Sequence, residues 1–345
     1  MKALVKTGKG KGMLHLKDLP IPQPDPGEVL VKIGAAGICG TDIHILHDEF
    51  TYYPPVVLGH EFSGKIVGLG EGVEGWREGD RVVCEPHSGA CGICDLCRSG
   101  FSQICSEKRS PGWGRDGAFA EYAKLPTSML HRIPQNVSDR SAAVAEPLAI
   151  VLHETVERGG IQAGDQVVIF GAGPIGLLAA AVARISGASQ IILVGTEMDT
   201  VCRFNIAKQI PVDAIINASR EDVVERVRSI TGERFADLTI EASGSPEAIA
   251  QTVQVIRKLG KISAVGLPGN KPVHFPWQDA MSKVVDLHFN LSSSHSSWIR
   301  AVAVMGAERI DPGFIVTHEF PLERWEEAFY IAETGSGAKV LLIPR

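Results

Sequence analysis

The segment Gln166-Val-Val-Ile-Phe170 runs into Gly171-Ala-Gly173-Pro-Ile-Gly176, and small and apolar residues then continue at helical spacing to residue 186. Few chain geometries tolerate that order. A buried-type strand, a G-x-G-x-x-G turn and a helix opening inside the turn specify a βα unit of a parallel sheet. Gly171 permits the tight turn, Gly173 lets backbone approach a pyrophosphate seated on the helix N-terminus, and Gly176 lets helix and strand pack closely. Pro174 fits the first helical turn, where its missing N–H costs nothing. Gly171, Gly173, Pro174, Ile175 and Gly176 are therefore the candidate dinucleotide-binding residues, a plain strand-to-helix turn being the alternative.

The pattern continues downstream. Strands are expected at 190–194, 214–216, 238–240 and 261–265, with helices at 199–209, 221–229 and 247–258. Alternating strands and helices predict an α/β, doubly wound parallel sheet. The second strand ends at Val194 and is followed by Gly195, where an acid for the adenosine ribose is usual. Glu197, two positions on, takes that role and favours NAD; Arg203 near the gap would instead admit the 2′-phosphate of NADP. The first 145 residues read differently, as short alternating segments punctuated by Gly and Pro, which predict a barrel or sandwich. A helix at 322–333 and a strand at 338–343 close the chain.

Cys91, Cys94, Cys97 and Cys105 form C-x2-C-x2-C-x7-C. Four thiolates within fifteen residues close a tetrahedron around zinc and leave no open position, so the site is expected to be structural, with an iron–sulfur cluster as the competitor. Seven cysteines, an odd number, without an export signal in residues 1–16, fit reduced thiols in the cytoplasm. The net charge of −6 opposes nucleic acid and anionic membranes as partners, and the longest apolar run, 175–183, is too short to span a bilayer.

Further metal-ligand types lie in Cys39-Gly-Thr41-Asp-Ile-His44 and Gly59-His60-Glu61. Taken with the cysteine lobe, the stretch Asp116-Gly-Ala-Phe-Ala-Glu-Tyr122 and the late nucleotide fold, these make the whole chain resemble the zinc-dependent medium-chain alcohol dehydrogenases. The resemblance implies a GroES-like β-barrel catalytic domain over 1–147 and 290–345, a structural-zinc lobe at about 89–106, and an inserted Rossmann domain over 148–289. It also implies two zinc ions per chain, one catalytic and one structural, a small-molecule alcohol substrate, and a homodimer or homotetramer.

By the same resemblance Cys39 and His60 are catalytic-zinc ligands, and Glu146, in Ala145-Glu-Pro-Leu148, stands where the second cysteine of alcohol dehydrogenases is expected. The alternative for Glu146 is a helix-capping acid. The Glu-Pro-Leu form is similar to the polyol (sorbitol or iditol) and threonine dehydrogenase branches. Glu61 sits beside the metal, directly or through water, and Thr41, the cofactor ribose and His44 relay the substrate proton while hydride passes to NAD or NADP. Trp113, Ser293 and His295 are the candidate substrate contacts, though 292–298 also reads as a polar surface loop. The expected reaction is oxidation of a polyol, sugar-derived or similar secondary alcohol, the alternative being an L-threonine 3-dehydrogenase. An inactive binding protein on the same fold is disfavoured, because Cys39, Thr41, His44, His60, Glu61 and Glu146 are all present.

Overall fold

Side chains alternate along the strand Glu28–Gly37, with Val29, Val31 and Ile33 buried and Lys32 exposed. That period of two makes one face of a sheet into a core. The computed structural model describes residues 1–345 except Ser88 and Asn270. Glu28–Gly37 is the hub of a seven-stranded sheet. On one side it pairs with Glu61–Leu69, which leads to Arg81–Cys84 and Leu130–Arg132; on the other it meets Lys339–Ile343 and then Val316–Pro321. Tyr122–Pro126 also pairs with the hub. The register Leu341↔Gly37 and Leu342↔Ala36 stitches the last strand to an early one. The chain accordingly divides into two units, Met1–Glu146 with Ser294–Arg345, and Pro147–Ser293.

In the second unit six parallel strands lie in the order Ala214–Asn217, Gln190–Gly195, Gln166–Phe170, Ala236–Glu241, Ile256–Ala264, Asp286–Phe289. Counted from Gln166–Phe170 this is 3-2-1-4-5-6, the doubly wound nucleotide-binding order. The apolar residues Val168, Phe170, Ile192, Val194, Ile216 and Ile262 close into one core.

Two expectations are corrected. The region 199–209 is not one helix but a 3-10 turn, Glu197–Thr200, and a short helix, Arg203–Ala207. The buried Asp199 accepts the Thr196 N–H at 2.8 Å and caps the turn, so the chain bends before the helix starts. The helix expected over 247–258 is Pro246–Val255; Ile256, fully buried and paired with Ala236, already belongs to the next strand. Among the described residues no helix is long and apolar enough to cross a membrane.

Candidate active site and metal centres

Cys39 is the N-cap of the helix Gly40–Leu46, and Asp42 in that first turn accepts the Cys39 N–H through Oδ2 at 2.9 Å. The other oxygen of Asp42 faces His60 Nδ1 at 3.8 Å, beyond hydrogen-bond distance, and neither of these two buried atoms has a hydrogen-bond partner among the described residues. His60 is reached through Gly59, whose φ of +91° and whose tight approach to the Phe119 ring both exclude a side chain. Trp113 stands edge-on to the His60 ring at 5.0 Å. Glu61 begins the next strand, and its carboxylate takes Lys339 Nζ at 2.6 and 2.8 Å. Gly37 leaves the room for this pair: a Cβ there would come within 2.4 Å of Glu61 Oε2.

Donor atoms of Cys39, His60 and Glu61 lie within 4.8 Å of one another. Glu146, in the first turn of the helix Ala145–Leu152, is outside that set but buried beside it. Asp42, His60, Glu61, Glu146 and Lys339 are all at least nine-tenths buried. Burial and the Glu61 charge push the Cys39 thiol up. Burial, with Glu61 adding to it and His60 and Lys339 opposing, pushes Glu146 up to about 7. A sulfur, an imidazole and two carboxyls packed together with one ammonium form a donor set short of positive charge, which a zinc ion would supply. The residues present fit such an ion.

The cysteine lobe fits a second one. Its sulfurs stand 3.7 Å apart for Cys105 and Cys91, and 4.0 Å apart for Cys91 and Cys97 and for Cys94 and Cys105. Tetrahedral zinc with Zn–S bonds of about 2.3 Å requires a separation of about 3.8 Å. Backbone N–H groups of Ile93 and Cys94 lower the Cys91 thiol to about 6, ready to ligate as thiolate. All seven cysteines are free.

The turn expected to cradle phosphates lies between a strand and a helix. Gly171 has φ +105° at the end of its strand, and Gly173 is the N-cap of the helix Pro174–Ile185. A Cβ on Gly176 would fall 1.8 Å from the Gly171 carbonyl oxygen, whereas one on Gly173 would meet nothing within 4 Å. Glu241, which sequence reasoning missed, orders the neighbouring loop by accepting the Ser243 N–H at 2.9 Å and the Gly244 N–H at 3.0 Å. Gly195 admits no acid, because its Cβ would meet Phe204 at 2.5 Å. Glu197 accepts bonds from Arg220 Nε at 2.6 Å and Asn217 Nδ2 at 2.8 Å. Arg203 is tied to Asp199 at 3.1 Å.

Thr41 Oγ1 lies 3.7 Å from Cys39 Sγ, and the half-exposed His44 pairs with Glu49 at 3.1 Å. Ser293 is fully buried, and His295 is bonded to Glu85. Lys339 and Asp42 were not singled out from sequence. A lone Lys in the apolar run Ala338-Lys-Val-Leu-Leu-Ile343, and an acid inside Cys39-Gly-Thr-Asp-Ile-His44, were the available signals.

Comparison with known proteins agrees with this geometry. Residues 25–135 match the model of the alcohol dehydrogenase GroES-like domain, and residues 174–306 that of the zinc-binding dehydrogenase domain. A sorbitol dehydrogenase of Halalkalibacterium halodurans is 38% identical over 100% of this chain and 99% of its own. An L-threonine 3-dehydrogenase of Bacillus subtilis is 36% identical over the same shares. A structure from Sinorhizobium meliloti, described as a zinc-binding dehydrogenase bound to NADP, superposes with a TM-score of 0.92 at 32% identity, covering 99% of each chain. The barrel strands, the doubly wound sheet, the two donor clusters and these likenesses together make the chain a member of the zinc-dependent medium-chain alcohol dehydrogenase family.

Proposed function

We propose that this NAD(P)-dependent dehydrogenase oxidises the secondary alcohol of a polyol or sugar-derived substrate, with Cys39, His60 and Glu146 holding the catalytic zinc. The observation that carries the reading is the buried cluster around Cys39 and His60. Both oxygens of Glu61 are taken by Lys339, whereas Glu146, buried beside the same group, feels Lys339 and Lys108 only at longer range and makes no ion pair within 4 Å among the described residues; that favours Glu146 as the ligand and Glu61 as the exchangeable acid. When bound, zinc polarises the substrate hydroxyl and the nicotinamide accepts hydride. The chain's own residues manage the proton. Thr41, next to Cys39, takes it from the substrate side, and His44, open to solvent and steadied by Glu49, passes it on. Asp42 holds the Cys39 backbone through its N–H, and its other oxygen lies near the His60 ring. Trp113 against His60 gives the pocket an apolar wall.

Identity to the sorbitol dehydrogenase puts polyols ahead of L-threonine, which is the second reading. For the cofactor, Glu197 favours NAD; its partner Arg220 is the guanidinium that a 2′-phosphate would recruit. The edge strand Asp286–Phe289, with Phe289 at 74% exposure, and the helix Trp277–Lys283, with Trp277 at 70%, support self-association. Free thiols support a reducing, cytoplasmic setting. The test is absorbance at the NADH wavelength with polyols, sugar acids and L-threonine, each with NAD and with NADP. Reduction with polyols and NAD is expected. A response confined to L-threonine would establish the second reading, and no reduction by zinc-loaded protein on any substrate would remove both.

A further inference from the structure

Glu85, His131 and His295 come together on the catalytic unit, outside both donor clusters described above. Glu85 directly follows the strand Arg81–Cys84, and its N–H bonds the Met129 carbonyl at 2.8 Å. His131 sits in the adjacent strand Leu130–Arg132, opposite Val83. His295 opens the helix His295–Gly306, from residues 164 positions further along the chain. A single oxygen of Glu85, Oε1, lies 2.6 Å from His131 Nε2 and 2.6 Å from His295 Nδ1. The three donor atoms fall within 4.8 Å of one another.

We propose that Glu85, His131 and His295 form a further metal site, which takes a divalent ion of the zinc class through one carboxylate and two imidazoles. The ligand set is the one that zinc, nickel and ferrous iron accept, without sulfur. Bonds of 2.0–2.1 Å at a tetrahedral angle place ligand atoms about 3.3 Å apart. Inserting the ion therefore opens each N···O contact by less than an ångström, with the ion replacing the two protons those contacts now need.

The supporting structure is rigid on two sides and open on the third. Glu85 is 3% exposed, and its second oxygen faces His87 Nε2 at 3.8 Å. Burial works against its charge, yet the bonds from His131 and His295 hold it below the ordinary carboxylate range, so it is available as an anion. The His131 ring stacks on Trp298 at 5.6 Å with 10° between planes. Trp298 is 1% exposed and lies three residues after His295, on the same face of the helix. The tryptophan thus fixes one imidazole and positions the backbone of the other. The His295 side chain is 67% exposed, which gives the ion an entry path and leaves a coordination position for water or an exogenous ligand. One carboxylate and a dication leave a net charge of +1, so that ligand is expected to be anionic.

The test is metal stoichiometry of the full chain, read independently of turnover. Zinc-loaded protein is desalted and its metal content measured per chain, then titrated calorimetrically with Ni2+ near neutral pH. Wild type is expected to hold one more ion than His295→Ala and His131→Ala. Filling the site with Co2+ should add visible absorption without the thiolate charge-transfer band that the cysteine lobe gives. His295 is exposed, so His295→Ala keeps the test valid even if His131→Ala does not fold; an unchanged unfolding temperature checks that. Equal metal counts in wild type and His295→Ala at saturating zinc, or no Ni2+ heat that is lost in the variant, would overturn the proposal and leave the trio as a hydrogen-bonded network.

Discussion

Lys339 and Glu61 form a buried ion pair, 3% and 1% exposed, that joins the last strand of the chain to the strand following His60. Burial opposes the Lys339 charge, but Glu61, Cys39 and Glu146 together hold its ammonium above its ordinary range. Such a pair contributes little against a well-packed apolar substitute, while removing one partner strands the other charge. Lys339→Met is therefore expected to destabilise the protein by about 3–5 kcal/mol in urea unfolding. The double variant Lys339→Met/Glu61→Gln should recover most of that loss. A single variant as stable as wild type would show that Glu61 is neutralised by something else.

This pair also marks where sequence reading stops. The stretches around Cys39, His60, Cys91 to Cys105 and Gly171 to Gly176 are legible because ligand spacing and turn chemistry are local. Glu61 and Lys339 are 278 residues apart, and the contact exists only because the C-terminal strand enters the sheet beside Gly37. Nothing in the period-two pattern of either strand names its neighbour. The acid proposed for the ribose has the same difficulty on a smaller scale. Glu197 was legible from its place after the second strand, but its partner Arg220 comes 23 residues later, beyond another strand. Asp42 lay in plain view, yet its role needed the helix cap that turns one oxygen to Cys39 and the other towards His60.

Glu146→Ala separates the two zinc centres. The variant is expected to lose activity by at least tenfold and to retain the zinc of the cysteine lobe while losing the catalytic ion. Metal analysis after desalting reads this directly, and chelation of the wild type at limiting time should remove the catalytic ion first, since the cysteine lobe is closed by four sulfurs. Full activity with an unchanged metal count would transfer the ligand role to Glu61.

Glu154 carries a pH signature. It is fully buried, and neither carboxyl oxygen has a hydrogen-bond partner among the described residues. Burial, and then the charge of Glu241, push its pKa well above the ordinary value. The folded state therefore holds a proton that the unfolded chain gives up above the ordinary carboxylate range. Its contribution to stability is fully present below that range and falls away as pH rises towards the folded pKa. Glu154→Gln should match wild type in denaturant unfolding in acid and gain on it progressively towards neutral and alkaline pH. A stability difference independent of pH would mean that Glu154 ionises alike in both states.

Gly173 and Gly176 stand three residues apart, yet alanine should act differently at each. A Cβ at Gly176 would overlap the Gly171 carbonyl oxygen at 1.8 Å, a backbone contact that no rotamer change can relieve. Gly176→Ala must push the helix Pro174–Ile185 off its strand, so it is expected to lower the unfolding temperature as well as cofactor affinity. Gly173→Ala meets no protein atom within 4 Å and has ordinary backbone angles of φ −69° and ψ −177°. Its methyl group would stand in open space, on the path proposed for the pyrophosphate. That variant should unfold at the wild-type temperature but bind NAD at least tenfold more weakly by fluorescence titration. If Gly173→Ala bound NAD normally, the pyrophosphate would have to pass elsewhere than over this turn.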